Sequence, residues 1–287
     1  MAEALGDARL QARSLALQAE LCRGRGDLRE ALRLRREAEL PLLAAAHDER
    51  GQAFTQWGIA DLLQSLGQVD QALALLREQV LPSLRRLGDV RSQAIAAGRV
   101  ADLLDACGQF DESLRIRREE QLAVLQGLGD QREAALALGR IAETLCQRGE
   151  YAVALALRLD QQLPALQVLP MAQRRGSERE LAFVQIHQAT CLRLVGRPLE
   201  GLALLQQSVL PLFERSSDQR ESAFTQARIV EQLAALGRHA DLTQICRQTL
   251  LPAFERFAVS VNPAKAIWLE LAGLGRAVPR NAAARVS

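Results

Sequence analysis

Apolar or small residues return every three or four positions along most of the chain, as at Ala94, Ala97, Val100, Ala101 and Leu104. That spacing predicts amphipathic helix rather than strand. The helical stretches come in pairs, and the pairs recur. Gly26, Gly67, Gly108, Gly149, Gly196 and Gly237 mark them at steps of 41, 41, 41, 47 and 41 residues. Counted from 19 residues before each glycine, six repeats span 7–47, 48–88, 89–129, 130–176, 177–217 and 218–258. The register is shared by other columns. Position 3 is always Arg (Arg9, Arg50, Arg91, Arg132, Arg179, Arg220) and position 6 always Ala (Ala12, Ala53, Ala94, Ala135, Ala182, Ala223). Position 34 is always Leu, and position 35 is Pro in five of six, Ala123 being the exception. A fixed period of this length is the mark of a stacked repeat architecture.

Each repeat reads as helix A, a turn and helix B. Helix A opens on Asp (Asp7, Asp48, Asp89, Asp130, Asp218) or Ser177, residues whose side chains satisfy free N–H groups at a helix start. Gly6, Gly88, Gly129 and Gly176 stand just before and suit a left-handed helix end. The repeated Gly closes helix A. The Leu-Pro pair falls inside helix B, where a proline removes one hydrogen bond and bends the helix. Five prolines at one register predict five similar bends.

The spacing resembles the tetratricopeptide (TPR) repeat family, in a long 41-residue variant. Its signature is carried by Ala101, Leu104, Gly108, Phe110 and Ser113 in repeat 3, and by Ala142, Leu145, Gly149, Tyr151 and Ala154 in repeat 4. Ala60, Leu63, Gly67 and Ala72 carry it in repeat 2. The period is longer than the family's, and Val230 and Leu242 replace small residues in repeat 6. HEAT and armadillo arrays have a similar period, but the Gly turn and small-residue spacing favour TPR. The resemblance implies an all-α, right-handed α-solenoid of six helix pairs, with helix A lining the concave surface. Segment 169–176 is an insertion read as a loop. Asn262-Pro263 opens a further helix, ending near Gly273, read as a capping helix over 259–275, with 276–287 as a disordered tail. The chain starts directly at a helix A, so either that helix serves as a cap or the chain is part of something longer.

Composition narrows the picture. The chain is 48% hydrophobic and 24% charged but only 3% aromatic, which suits a Leu/Ala helical core and disfavours stacking platforms. All 36 basic residues except Lys265 are Arg, as a GC-rich coding sequence would give, and the net charge is +2. Such a balance gives no global drive toward nucleic acid or membrane, and no apolar run or leader marks a membrane span or signal peptide. The five Cys (Cys22, Cys107, Cys146, Cys191, Cys246) are scattered without CxxC spacing, so a reducing cytoplasm fits and neither a disulfide framework nor a metal site is expected.

On helix A, positions 3, 7, 10, 14 and 17 share a face, while the Ala columns at 6 and 13 face inward. The shared face therefore predicts a groove with an arginine stripe, an aromatic stripe and an acidic stripe. Its candidate ligand-binding residues are Arg50, Phe54, Trp57, Asp61, Arg91, Asp102, Arg132, Glu143, Arg179, Phe183, Arg220 and Phe224. Each stripe has a second reading. The Arg column has a natural structural partner in the N-cap Asp of the adjacent repeat, and the acids have i,i+3 Arg neighbours. The aromatics either pack between repeats or form contact surface. Phe213, Phe254 and Phe257 late in helix B read as core. Cys146, at position 17, is either exposed and oxidisable or inert. His47, His187 and His239 lie on different repeats and no catalytic or phosphate-binding motif occurs.

The resulting expectation is a non-enzymatic cytoplasmic scaffold or adaptor, without cofactor, that holds a protein or peptide segment in its groove. The alternative is a regulatory module that binds a small anionic ligand and controls an effector protein. RNA is disfavoured by the interleaved acids, and self-association through the end faces is left open.

Overall fold

The computed structural model describes residues 2–168 and 177–253. The insertion 169–176, the expected capping helix 259–275, the tail 276–287, Phe254 and Phe257 lie outside them. Among the described residues twelve helices follow in pairs: α1 (Ala2–Arg25), α2 (28–45), α3 (Glu49–Ser65), α4 (69–86), α5 (Val90–Ala106), α6 (110–127), α7 (Gln131–Gln147), α8 (151–167), α9 (Ser177–Leu194), α10 (198–215), α11 (Gln219–Ala235) and α12 (239–253). No strand occurs among the same residues. The chain divides after Thr144 into two compact parts.

The turn chemistry works as the repeat columns demand. Gly26, Gly67, Gly108, Gly149, Gly196 and Gly237 all take positive φ, between 68° and 90°. There the chain closes helix A by bonds such as Gly67 N–H to Gln64 C=O and Gln68 N–H to Leu63 C=O, both 2.9 Å. Between repeats Gly88 and Gly129 hold the same conformation, and His47 (φ 51°) and Ser217 (φ 56°) adopt it without being glycine. Asp48, Asp89, Asp130 and Asp218 then accept a backbone N–H three residues on, at 2.8, 3.1, 3.3 and 3.2 Å. Asp7 departs from the expectation. It lies within α1, because Ala2-Glu3-Ala4-Leu5 are strong helix formers that extend the helix through Gly6.

The Ala columns are the packing surface. Ala53, Ala60, Ala97 and Ala101 pack with Ala72, Leu76, Val80 and Leu104 in one core. Ala182 and Ala189 pack with Leu205, Val209, Phe213 and Leu233 in another. Small residues are required by close approach: a Cβ on Gly201 would stand 2.9 Å from the Ala189 carbonyl oxygen. Val230 and Leu242, at the same columns in repeat 6, are also buried.

The prolines do not set the helix B geometry alone. In every repeat helix B widens into a π-helical segment just before the Leu-Pro pair: Leu34–Glu39, Leu76–Val80, Arg117–Leu122, Arg158–Gln162, Leu205–Val209 and Cys246–Leu250. Repeat 3 has the segment although Ala123 replaces proline. A wide turn relieves the clash between a proline ring and the carbonyl four residues back. In repeat 2 the last wide bond runs from Leu81 N–H to Leu76 C=O. In repeat 3 it runs one residue further, from Ala123 N–H to Arg118 C=O, a bond that proline cannot make. What the six segments share is a buried pair at positions 29 and 33, one wide turn apart. The pair is Arg35/Glu39, Leu76/Val80, Arg117/Gln121, Arg158/Gln162, Leu205/Val209 and Cys246/Leu250.

Candidate functional site

The position-3 arginines lie exposed on one face of the A helices. Their main partners are built into the repeat. Arg9 reaches Asp48 at 3.6 Å, Arg50 reaches Asp89 at 3.1 Å, and Arg91 reaches Asp130 at 2.7 Å. In the second part Arg179 reaches Asp218 and Glu221, both at 3.2 Å. Each Asp divides its oxygens: Oδ1 caps its own helix and Oδ2 receives the arginine of the preceding repeat. The backbone N–H of Ser92 above all, with Arg50 and Arg91 beside it, holds the Asp89 carboxyl below its usual range. Such exposed pairs contribute little stability each, but they fix where the guanidinium lies. Arg132 is exposed at the same position of α7.

The guanidinium groups also cover the aromatics one turn on. Arg50 lies 5.6 Å from the Phe54 ring centre, Arg179 5.6 Å from Phe183 and Arg220 5.7 Å from Phe224, within cation–π range. In the first part Phe54 stacks on Trp57, with centres 6.2 Å apart and planes 8° from parallel. Phe54 remains 39% exposed, while Trp57 leans against the core. Phe183 is drawn in against Phe213 at 6.0 Å, and Phe224 is half-buried.

The acidic column divides. Burial pushes the Asp61 carboxyl upward, against the pull of Arg99 3.8 Å away. Glu143 pairs with Arg140 on its own helix at 3.1 Å. Asp102 turns partly inward, taking Arg99 at 3.3 Å and the buried Arg117 at 2.6 Å. Arg50, Phe54 and Trp57 thus form one patch with Asp61 a turn beyond Trp57, and Arg179–Phe183 and Arg220–Phe224 are paired in the second part. Gly98, at position 10, was expected to line the face. It instead leaves room for Gln121, since a Cβ there would stand 2.3 Å from Gln121 Nε2.

The repeat columns did not single out the buried arginines of helix B. Arg117 is 1% exposed and donates to Asp102 at 2.6 Å and Asp105 at 2.9 Å, with Thr144 Oγ1 donating to Asp105 at 2.8 Å. Arg35 likewise donates to Glu20 (2.6 Å) and Glu39 (3.1 Å), and Thr55 donates to Glu39 at 2.7 Å. Burial pushes the Glu20 carboxyl up, but Arg23 and Arg35 outweigh it and hold it below its ordinary value. Among the described residues no cluster of His, Cys, Asp and Glu is arranged to hold a metal, and no helix is long and apolar enough to cross a membrane.

No family model matches the chain, and no curated protein matches it either. Solved structures do. One form of a putative kinesin light chain of Podosopora anserina with nearly identical TPR-like repeats is 18% identical, with a TM-score of 0.60 over 74% of this chain and 98% of that one. BtubC (BKLC) from P. vanneervenii is 17% identical, with a TM-score of 0.60 over 72% and 86%. A Rap protein complexed with Competence and Sporulation Factor is 16% identical, with a TM-score of 0.57 over 88% of this chain and 65% of that one. At these identities the likeness is one of fold. The chain is an all-α repeat solenoid of TPR-like helix pairs.

Proposed function

We propose that the protein is a non-catalytic interaction scaffold that holds a peptide or a segment of a partner protein against the open face of its A helices. The observation that carries this reading is the Arg50–Phe54–Trp57 patch. An exposed aromatic stacked on a second ring and covered by a guanidinium combines the residue types that dominate binding hot spots. The Rap protein structure, a complex with Competence and Sporulation Factor, supports the reading by analogy of fold. The arginine–aspartate pairs favour a protein segment over a small anion, because the guanidinium forks already hold carboxylates. A segment can pack on the rings and exchange ion pairs at the rim, whereas a lone anion must displace Asp89 or Asp130.

Peptide display against the whole chain tests this. Selected peptides are expected to lose at least about tenfold in affinity on Phe54→Ala or Trp57→Ala, with unchanged helical circular dichroism. Peptides that bind both variants as well as the parent would place the interaction elsewhere, and a metabolite panel that shifts the melting temperature while no peptide is selected would favour the small-anion reading.

A further inference from the structure

The geometry points to a redox modification site that joins repeats 4 and 5: Cys146 and Cys191 are placed to form a reversible disulfide on exposure to a peroxide. Cys146 lies at the end of α7 and Cys191 near the end of α9, 45 residues apart in sequence, with their sulfurs 3.4 Å apart. That is thiol contact, and a covalent bond needs closure to about 2.05 Å. Nothing in the repeat columns requires two cysteines to meet. They stand at positions 17 and 15 of their repeats, different columns that the fold brings together.

The surroundings favour reaction. Cys191 is 1% exposed, whereas Cys146 is half-buried and gives the pair an edge toward solvent. The buried Arg158 of α8 bonds Gln162 at 3.0 Å, and its charge acts on Cys191. The hydrogen bond from Cys146 above all, with the Arg158 charge added and burial opposing, pulls the Cys191 thiol down to about 7. A thiolate is the nucleophile in thiol oxidation. By contrast burial pushes the Cys246 thiol up, and Cys107 is exposed.

The chemistry balances in two steps. A thiolate of the pair attacks one peroxide oxygen, the O–O bond breaks, and the departing oxygen takes back from solvent the proton that the first thiol had released and leaves as water, giving a sulfenic acid. The other thiol then attacks that sulfur, its proton leaves with the hydroxyl as a second water, and the S–S bond forms. Two thiols are oxidised and one peroxide is reduced to two waters. The bond would tie the last turn of α7 to α9 across the segment that contains α8 and the insertion. A cross-link closing a segment of this length is expected to raise the melting temperature by roughly 5 °C.

The test is hydrogen peroxide treatment of the whole chain at about pH 7.5, followed by non-reducing peptide mapping. The expected result is one Cys146–Cys191 linkage with a loss of about 2 Da, a raised melting temperature and full reversal by dithiothreitol. Cys107→Ser should retain the linkage, and Cys146→Ser should abolish it at unchanged helical content. Arg158→Met should slow linkage, because it removes a charge that favours the Cys191 thiolate. The parent chain alone decides the central point. Oxidation of Cys107 while Cys146 and Cys191 stay as thiols, or a linkage of Cys146 to another cysteine, would overturn the inference.

Discussion

Repeats 2 and 3 share a helix pair, a caps-and-turn chemistry and a widened helix B, yet fill the wide turn with opposite chemistry. Repeat 2 buries Leu76 and Val80, whereas repeat 3 buries Arg117 and Gln121. The apolar filling needs only shape and contributes about 1.5–3 kcal/mol per large side chain. The polar filling needs a complete set of partners supplied by other elements: Asp102 and Asp105 from α5 and Thr144 from α7. Even so, Arg117 Nε and Asp105 Oδ1 make no hydrogen bond among the described residues. Such a buried ion pair is weak evidence for stability, while its partners strongly constrain which elements fit together. The wide turn is therefore a backbone feature with a choice of contents. Repeats 1, 3 and 4 take arginine, and repeats 2, 5 and 6 take Leu or Cys.

The largest effect is expected from removing one partner of the buried arginine. Arg117→Ala leaves the largely buried Asp105 without its counter-charge and takes from Asp102 one of its two arginines, and should lower stability by about 3–5 kcal/mol, read as a lower urea midpoint. Giving repeat 3 the contents of repeat 2, by Arg117→Leu and Gln121→Val together with Asp105→Ala, should recover the midpoint to within about 1–2 kcal/mol of the parent. In that variant Asp102 keeps Arg99 and Thr144 keeps the Arg140 carbonyl. If the triple variant is as unstable as Arg117→Ala, the polar filling is not exchangeable and the comparison fails.

The backbone half of the comparison is tested at position 35. Ala123→Pro removes the bond from Ala123 N–H to Arg118 C=O, but it enters a turn already widened and reduces the freedom of the unfolded chain. The net change should stay within about 1 kcal/mol. Arg115→Pro, placed in the α-helical stretch of the same helix, should cost about 3 kcal/mol or more. Equal losses in the two variants would mean that the widened turn does nothing for proline.

A smaller effect checks what both repeats hold in common. Asp89→Ala removes the cap of α5 and the partner of Arg50, and should cost about 1 kcal/mol. Because the folded carboxyl is held below its ordinary value, this contribution is complete above about pH 4, the unfolded value. It is lost as the pH falls through the lower folded value. Melting curves of the parent and of Asp89→Asn, which keeps an acceptor but no titration, should therefore converge toward acid pH.

Much of this was legible in the sequence. Position 3 Arg and position 1 Asp were visible as columns, and their pairing between repeats follows from stacking identical units one step apart. The glycine turns and Asp caps were legible because they are local: each depends on a backbone conformation that few residues tolerate. The buried arginines were written there as well, since Arg at position 29 accompanies Glu or Gln at position 33 in repeats 1, 3 and 4, where repeats 2 and 5 pair Leu with Val and repeat 6 pairs Cys with Leu. Arg35 and Arg117 sit in charged runs that read as a solvated surface, and Arg158 is a lone arginine between Leu157 and Leu159. A helical period of 3.6 assigns no special place to a residue inside a wider turn. Asp7 was misread for the opposite reason: the column suggested a cap where helix propensity simply continued.

The repeat, its register, the helix pairs and their caps can be read from residue spacing, because those rest on interactions within a few residues and on a pattern copied six times. Packing in three dimensions shows that helix B widens in every repeat, with or without proline, and that Gly98 makes room for a glutamine. It alone brought Cys146 and Cys191 to touching distance and turned Asp102 toward a buried arginine. Those facts depend on which side chains meet across neighbouring helices, and a distance between helices is not written in the spacing of residues along either one.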